Sequence, residues 1–157
     1  MTAASRRPIL VVEDNDDDLT LALRALREHD VRHEVALARD GVEASEFLFG
    51  DSDGDGAGAG VGARHPLPIV VILDLNLPRV NGLEVLRRIR AHERTRLLPV
   101  VVLTSSRAEE DIVSSYSMGA NSYVRKPVDY VTFRNAMRSL GDYWLALNEM
   151  PPEGGSG

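Results

Sequence analysis

The sequence contains no cysteine, which excludes disulfides and cysteine-bound metals and agrees with a reducing compartment. It contains one lysine, Lys126. The other seventeen of its eighteen Lys and Arg residues are arginines. It also lacks an apolar run near the roughly 20 residues that span a bilayer. Its first residues lead into a strand-like stretch rather than a signal peptide. We therefore predict a cytoplasmic protein that is not embedded in a membrane.

Acidic residues outnumber basic ones in the chain, with 24 Asp and Glu against 18 Lys and Arg. The formal net charge is -6, and no basic cluster stands out, so the electrostatic pattern of a nucleic-acid-binding protein is missing. The 157 residues, 43% of them apolar, suit one domain with a buried core. We predict a single domain over residues 1–150 and a disordered tail over residues 151–157.

Short β-branched runs alternate with segments of helical periodicity. The continuously apolar runs indicate strands buried on both faces, as in a parallel sheet covered by helices. This alternation predicts an α/β fold with a doubly wound five-stranded parallel sheet of order 2-1-3-4-5. The predicted strands are residues 8–12, 35–38, 68–73, 99–103 and 122–124. In the helix after the fourth strand, we expect Ala108, Ile112 and Tyr116 to share one apolar face.

Residues 50–65 interrupt this alternation. The stretch from Gly50 to Gly62 holds six of the thirteen glycines and one large apolar residue, Val61. Burial cannot order such a segment, so we predict a flexible loop. The run DSDGDG inside it begins like a calcium-binding EF-hand loop. Its twelfth position is Gly62 instead of the closing glutamate, so the flexible loop is the favoured interpretation.

Three acidic residues directly follow strands that are predicted to be buried. Glu13 and Asp14 follow the first strand, and Asp74 follows the third. The carboxyl ends of parallel strands share one edge of the sheet, and ligands bind there beside the first and third strands. These carboxylates should therefore meet, and an all-oxygen cluster of this kind suits Mg²⁺. Taken singly, each acid could instead be a helix cap or a turn residue that faces water.

The same edge is predicted to collect groups that can bind an anion. The fourth strand ends at Thr104, followed by Ser105, and the fifth ends at Lys126, followed by Pro127. A compact ammonium beside carboxylates can balance their charge. It can also pair with a phosphoryl oxygen if one carboxylate becomes an acyl phosphate. Each residue has a common alternative in isolation: Thr104 as a helix cap and Lys126 as a surface cation.

Four motifs in this order resemble the receiver domain of bacterial two-component response regulators over about residues 7–140. They are VVEDN with Glu13 and Asp14, LDLNLPRVNG with Asp74, VVLTSS with Thr104, and GANSYVRKP with Tyr123 and Lys126. The resemblance implies a flavodoxin-like receiver fold. It also implies a protein that accepts a phosphoryl group from a histidine kinase onto Asp74, and that catalyses its own phosphorylation and slow dephosphorylation rather than turning over other substrates.

The resemblance further assigns roles to the clustered residues. It implies a Mg²⁺ ion held by four residues: Asp14, Asp74, Asn76 through its backbone carbonyl, and Glu13 through water. Lys126 would contact one phosphoryl oxygen, and the Thr104 hydroxyl and Ser105 amide would contact another.

The same resemblance implies a conformational switch. Movement of Thr104 toward the phosphoryl group would let Tyr123 turn inward, which would change the surface formed by helix 4, strand 5 and helix 5. The family's Lys-Pro peptide is typically cis, so we expect Pro127 to follow a cis bond.

The last predicted helix is more apolar than a surface helix needs to be. Its main stripe is expected to pack on the core: Phe133, Met137, Leu140, Trp144 and Leu147. Further aromatic residues lie off this stripe and suggest a second buried face, so we predict a homodimer through this helix. The candidate contacts are Phe133, Met137, Tyr143, Trp144 and Leu147.

The expected partners follow from the same resemblance. The ending GDYWLALNEMPP and the long loop before the third strand are similar to the regulators that serve bacterial phytochromes. This similarity predicts a bacteriophytochrome-type histidine kinase as the upstream partner. Thirty-one residues follow Lys126 in the 157-residue sequence, so we expect a stand-alone receiver without an output domain.

Two alternative functions remain open from the sequence. The chain could be a phosphate sink or relay without an output of its own. It could also be a Mg²⁺-dependent phosphatase with an aspartate nucleophile, although such enzymes would want a second acid where Asn76 stands. Their nucleophile also usually follows the first strand, whereas Asp74 follows the third.

Overall fold

The computed structural model describes residues 7–29, 33–50 and 66–152. The predicted flexible loop lies outside the described residues from residue 51 onward, together with its EF-hand-like run. The predicted tail lies outside them from residue 153 onward. Within the described ranges, no helix combines the length and the apolar character needed to cross a membrane.

Strands and helices alternate along the described chain, as the sequence predicts. The strands are β1 (Ile9–Val12), β2 (Val35–Ala38), β3 (Val70–Leu73), β4 (Val100–Thr104) and β5 (Ser122–Arg125). The helices are α1 (Asp16–His29), α2 (Gly41–Phe49), α3 (Gly82–Ala91), α4 (Glu109–Ser117) and α5 (Tyr130–Gly141), and a π-helical turn (Asp142–Leu147) continues α5. All neighbouring strands pair in parallel, and the order β2-β1-β3-β4-β5 confirms the predicted topology.

The sheet separates two apolar layers. Every residue of β1, β3 and β4 is buried, which confirms that these strands are covered on both faces. Side chains of α2 and α3 pack on one face, and side chains of α1, α5 and the π-helical turn pack on the other. Alternate residues of each strand belong to the two layers because successive strand side chains point to opposite faces.

The predicted dimer contacts divide into two groups. Phe133, Met137 and Trp144 are buried in the layer beneath α1 and α5, so their prediction as contacts with a second chain is wrong. The hydrophobic effect has already buried these side chains within their own domain. Tyr143 and Leu147, by contrast, are 48% and 72% exposed.

Helix α4 presents a different face from the predicted one. Tyr116 is 51% exposed, whereas Ser115 is fully buried. The Ser115 hydroxyl donates to the Asp111 carbonyl at 2.7 Å, and this bond satisfies the polar group where burial would otherwise be costly. The apolar spacing of a nine-residue helix therefore misplaced its buried side.

Arg90, near the end of α3, joins three segments at the amino ends of β4 and β5. Its guanidinium donates to the carbonyls of Leu98 at 2.7 Å and of Gly119 at 2.8 and 3.0 Å, and to the Asn121 side chain at 3.0 Å. Gly119 has a φ of 102°, and a Cβ there would lie 2.8 Å from the Arg90 Nε. A glycine is therefore required at this position, and the bonds hold the carboxyl end of α4 against α3.

Candidate functional site

The backbone of the sheet positions the two buried acids. The Glu13 amide donates to the Ala38 carbonyl at 2.9 Å, and the Asp74 amide donates to the Val12 carbonyl at 3.0 Å. Each residue thus extends its strand's hydrogen-bond ladder by one step. Glu13 and Asp74 are each 5% exposed, while Asp14 is exposed.

Glu13, Asp14 and Asp74 form a group that fits a divalent cation. Each carboxylate has an oxygen that lies within 4.8 Å of an oxygen of both other carboxylates. Oxygen-only ligands and a partly open site match the preference of Mg²⁺, which keeps several waters. Asn76 lies beside them in the loop after β3, where its backbone amide donates to Asp74 Oδ1 at 3.2 Å.

Lys126 lies at the centre of this cluster. Its ammonium is 2.5 Å from Glu13 Oε1, 2.9 Å from Asp18 Oδ2 and 3.1 Å from Asp74 Oδ2. Its backbone amide donates to the Thr104 carbonyl at 2.8 Å, so the β4–β5 pairing sets where the side chain begins. The structure therefore brings the predicted lysine and acids together.

Asp18 belongs to the site but was not among the predicted residues. It lies in the first turn of α1, where acids commonly favour the helix dipole. Its amide donates to the Asn15 side chain at 3.0 Å, which holds the start of the helix in place. In the sequence, Asp18 differs from the neighbouring acids of this turn only in its position directly before Leu19, the first buried residue of α1.

Burial and charge shift the pKa of both members of the central ion pair. Desolvation raises the pKa of Glu13 to about 7, against the opposing hydrogen bond from Lys126. Desolvation alone would lower the pKa of Lys126, but hydrogen bonds to Asp18 and Glu13 and the charge of Asp74 outweigh it and raise that pKa. The ammonium therefore stays charged across the physiological pH range.

The predicted switch residues are linked through Ser106. Thr104 is fully buried at the end of β4, and its hydroxyl accepts the Ser106 amide at 3.4 Å. The Tyr123 hydroxyl donates to the Ser106 carbonyl at 3.1 Å. Ser106 also donates its hydroxyl to Asp111 of α4 at 2.5 Å, while Ser105 is exposed. Ser106 was not among the predicted site residues, because its contacts with Thr104 and Tyr123 are made by backbone atoms that every residue carries.

The prediction of a cis bond before Pro127 is wrong for this structure. No cis peptide bond occurs among the described residues, so Lys126–Pro127 is trans. Even a bond before proline favours trans by about 0.5–1 kcal/mol, and the ladder contact of the Lys126 amide forms without a cis turn.

The loop between β3 and α3 is held closely against the Asp74 backbone. A Cβ on Gly82 would lie 2.2 Å from the Asp74 carbonyl oxygen, so this position requires glycine. Arg79 has a φ of 63° and forms an ion pair with Asp40, the residue that caps α2. The loop after the buried aspartate is thus fixed from two sides.

Comparison with known proteins agrees with this geometry. Residues 9–138 match the family described as the response regulator receiver domain. The probable methanogenesis regulatory protein FilR2 of Methanothrix harundinacea is 36% identical over 143 residues, which is 91% of this chain and 86% of that protein.

Two solved structures add detail to the comparison. Response regulator Rcp1 of Synechocystis is 32% identical over 91% of this chain and 92% of that protein. Its Mn(2+)-bound crystal structure superposes with a TM-score of 0.81 and covers 93% of this chain and 99% of that one. The bacteriophytochrome response regulator AtBRR is 46% identical, with a TM-score of 0.65 over 92% of this chain and 99% of that one.

Proposed function

The chain belongs to the response regulator receiver family, and from that premise we propose that it is a switch controlled by phosphorylation of Asp74. A histidine kinase would supply the phosphoryl group, and the reaction would require Mg²⁺. The observation that carries the proposal is the contact between the Lys126 ammonium and the buried Asp74 carboxylate, 3.1 Å apart. It supports the proposal because a fixed cation beside the nucleophile can stabilise charge on a transferring group.

The proposed transfer is a single displacement at phosphorus. A carboxylate oxygen of Asp74 forms the new bond to phosphorus, the phosphorus–nitrogen bond of the kinase phosphohistidine breaks, and the imidazole nitrogen keeps that electron pair. Lys126 then pairs with one oxygen of the acyl phosphate. The Thr104 hydroxyl and the Ser105 amide are proposed to meet another.

The metal ligands are proposed from the same cluster. Asp14 and Asp74 would bind the ion directly, with the Asn76 carbonyl, and Glu13 would bind it through water. A bound Mg²⁺ would neutralise charge on the phosphoryl oxygens during transfer. The carboxylate group described above supports this assignment, since its oxygens can converge within 4.8 Å.

We propose that the connection from β4 to α4 transmits the effect of phosphorylation from Asp74 to the protein surface. If Thr104 moves toward the new phosphoryl group, its bond with the Ser106 amide must change, and Ser106 carries the contact with Tyr123. The Ser106–Asp111 bond extends the same chain of contacts into α4. The surface of α4, β5 and α5 would then differ between the two states.

Asp74→Asn tests the site of phosphorylation. Incubation with acetyl phosphate and Mg²⁺ should label the wild type and leave this variant unlabelled, because an amide cannot form the acyl phosphate. Asp17→Asn, an exposed change in α1, is the matched control and should be labelled like the wild type. Labelling of Asp74→Asn at the wild-type stoichiometry would remove Asp74 as the acceptor.

Lys126→Arg tests the role of the ammonium. The variant keeps the charge, but the guanidinium fork is larger than an ammonium, and the lysine side chain is only 10% exposed among its three carboxylates. Labelling by acetyl phosphate should slow by about 10- to 100-fold, with a circular dichroism spectrum like that of the wild type. An unchanged labelling rate would show that the site does not need a compact cation.

We propose a phytochrome-type kinase as the upstream partner. Support comes from the similarity to AtBRR, which is described as a bacteriophytochrome response regulator. Phosphotransfer from candidate kinases, including a phytochrome in its two light states, should label the wild type in a light-dependent way. Transfer only from kinases without a light sensor would contradict this partner.

We also propose a homodimer that uses the exposed part of the π-helical turn. Tyr143 and Leu147 lie there, and Leu97 nearby is 52% exposed. Sedimentation should show concentration-dependent association in the wild type and a monomer in Leu147→Glu. A wild type that remains monomeric up to high micromolar concentration would contradict the dimer.

A further inference from the structure

Three carboxylates share the Lys126 ammonium, and they differ in what else they can bind. Glu13 and Asp74 also belong to the group whose oxygens can hold a divalent cation, whereas Asp18 does not. Asp18 is nevertheless 2.9 Å from the ammonium, closer than Asp74 at 3.1 Å. One contact of Lys126 is therefore independent of the metal group.

A metal ion and the ammonium would share the carboxylates of Glu13 and Asp74. Both are cations, and the ammonium now contacts Glu13 Oε1 and Asp74 Oδ2 directly. A dication in the group would weaken those two contacts and would also repel the ammonium. Breaking them without compensation would leave a largely buried cation short of partners, which is costly.

The surroundings give the ammonium little else to pair with on this side. A cavity of about 10 Å³ lies between α1 and the ends of β1 and β3, and Glu13, Asp18 and Asp74 line it together. The rest of its lining is apolar and includes Ala22, Leu103 and Phe133. Asp18 is held at this position by the start of α1, since its amide is bonded to the Asn15 side chain.

We propose that Asp18 is a positioning residue that keeps Lys126 in the site when a divalent cation binds Asp74 directly and Glu13 through water. Asp18 stabilises the metal-bound state because the ammonium retains an anionic partner there. Lys126 thus stays within reach of Asp74 while the metal binds. The inference rests on the metal site of the proposed function, but not on phosphorylation of Asp74.

A double-mutant cycle on metal affinity tests this role. The four proteins are the wild type, Asp18→Asn, Lys126→Met and the double variant, and Mn²⁺ and Mg²⁺ affinities are measured by calorimetry without any phosphodonor. Asp18→Asn should weaken metal binding by about tenfold more when Lys126 is present than when it is methionine. Asp17→Asn removes the same charge from the same turn of α1 and should change the affinity by less than about threefold.

Each other result of the cycle overturns the inference. Equal losses in both lysine backgrounds would mean that Asp18 acts only through its charge. A larger loss without Lys126 would make Asp18 a metal ligand. A wild type that binds neither ion would overturn the metal site as well, whereas normal metal binding without labelling of Asp74 would contradict only the proposed function.

A second measurement follows the ammonium itself. Because Lys126 is the only lysine, lysine-selective ¹⁵N labelling gives one side-chain ammonium signal in NMR spectra. With saturating Mg²⁺, this signal should persist in the wild type and exchange-broaden in Asp18→Asn, since the ammonium has lost its remaining anchor. The same Mg²⁺ response in both proteins would contradict the anchoring role.

Discussion

Helices α3 and α4 follow neighbouring strands and begin near the same edge of the sheet, yet they are held very differently. Helix α3 has a capping side chain, Asn81, which accepts the Glu84 amide, and it buries Val85, Leu86 and Ile89. Helix α4 begins at Glu109, its N-cap residue Ala108 makes no side-chain cap bond, and the helix buries only Ser115. The helix after Asp74 is therefore held by more buried side chains and a better cap than the helix after Thr104.

The largest expected difference between the two helices concerns the same truncation made in each. Ile89→Ala in α3 should lower the free energy of unfolding by about 3–4 kcal/mol, because Ile89 is fully buried and leaves a cavity. Ile112→Ala in α4 should cost about 1 kcal/mol, since this side chain is only half-buried. Urea denaturation of both variants measures the two values. Equal losses would show that α4 is packed as firmly as α3.

The helix caps provide a smaller test with opposite signs. Asn81→Ala should destabilise the protein by about 1 kcal/mol, because the Glu84 amide loses its acceptor. Ala108→Asn should stabilise it by up to about 1 kcal/mol by adding the cap that α4 lacks. Asn81→Asp serves as a control that keeps an acceptor. If Ala108→Asn left the free energy of unfolding unchanged, the backbone amides in the first turn of α4 would already have hydrogen-bond acceptors.

The smallest expected effect is a pH dependence confined to α3. Hydrogen bonds from Arg87 and then Arg88 lower the pKa of Glu84 from 4.5 to about 2. A lowered pKa stabilises the fold above the unfolded value, and this contribution is lost as the pH falls from about 4.5 toward 2. Wild type should therefore lose more stability than Glu84→Gln across that range in thermal melts. The effect should be small because the Arg87 side chain is 57% exposed and that of Arg88 is 41% exposed.

Sequence reasoning located the parts of the site that strand ends determine. Glu13, Asp74 and Lys126 could be placed together because parallel strands bring their carboxyl ends to one edge. Asp18 could not, because its role depends on how α1 is placed over that edge, and three consecutive acids in a first helical turn look alike in sequence. Packing between elements, rather than local pattern, selected one of them.

The same limit explains the errors in α4 and α5. Apolar spacing predicted that Tyr116 is buried on this short helix. Ser115 takes the buried position instead, because its hydroxyl donates to the Asp111 carbonyl of the same helix. In α5 and the π-helical turn the pattern identified Phe133, Met137 and Trp144 correctly as core-facing, whereas Leu147 of the same stripe is 72% exposed. The pattern also could not tell that Trp144 packs within its own chain rather than against a second copy. Periodicity shows that a face is apolar and does not show what covers it.

The guanidinium of Arg90 gives the loosely packed α4 a fixed point. Because Arg90 holds the chain at Gly119, just past the end of α4, the proposed movement of Thr104 would tilt the helix about this end rather than shift it along its length. Nine residues span about 13 Å, so the displacement would be greatest beside Thr104 and smallest beside Arg90. The affinity of a partner that binds the first turn of α4 would then depend on phosphorylation of Asp74, and the affinity of one that binds its last turn would not.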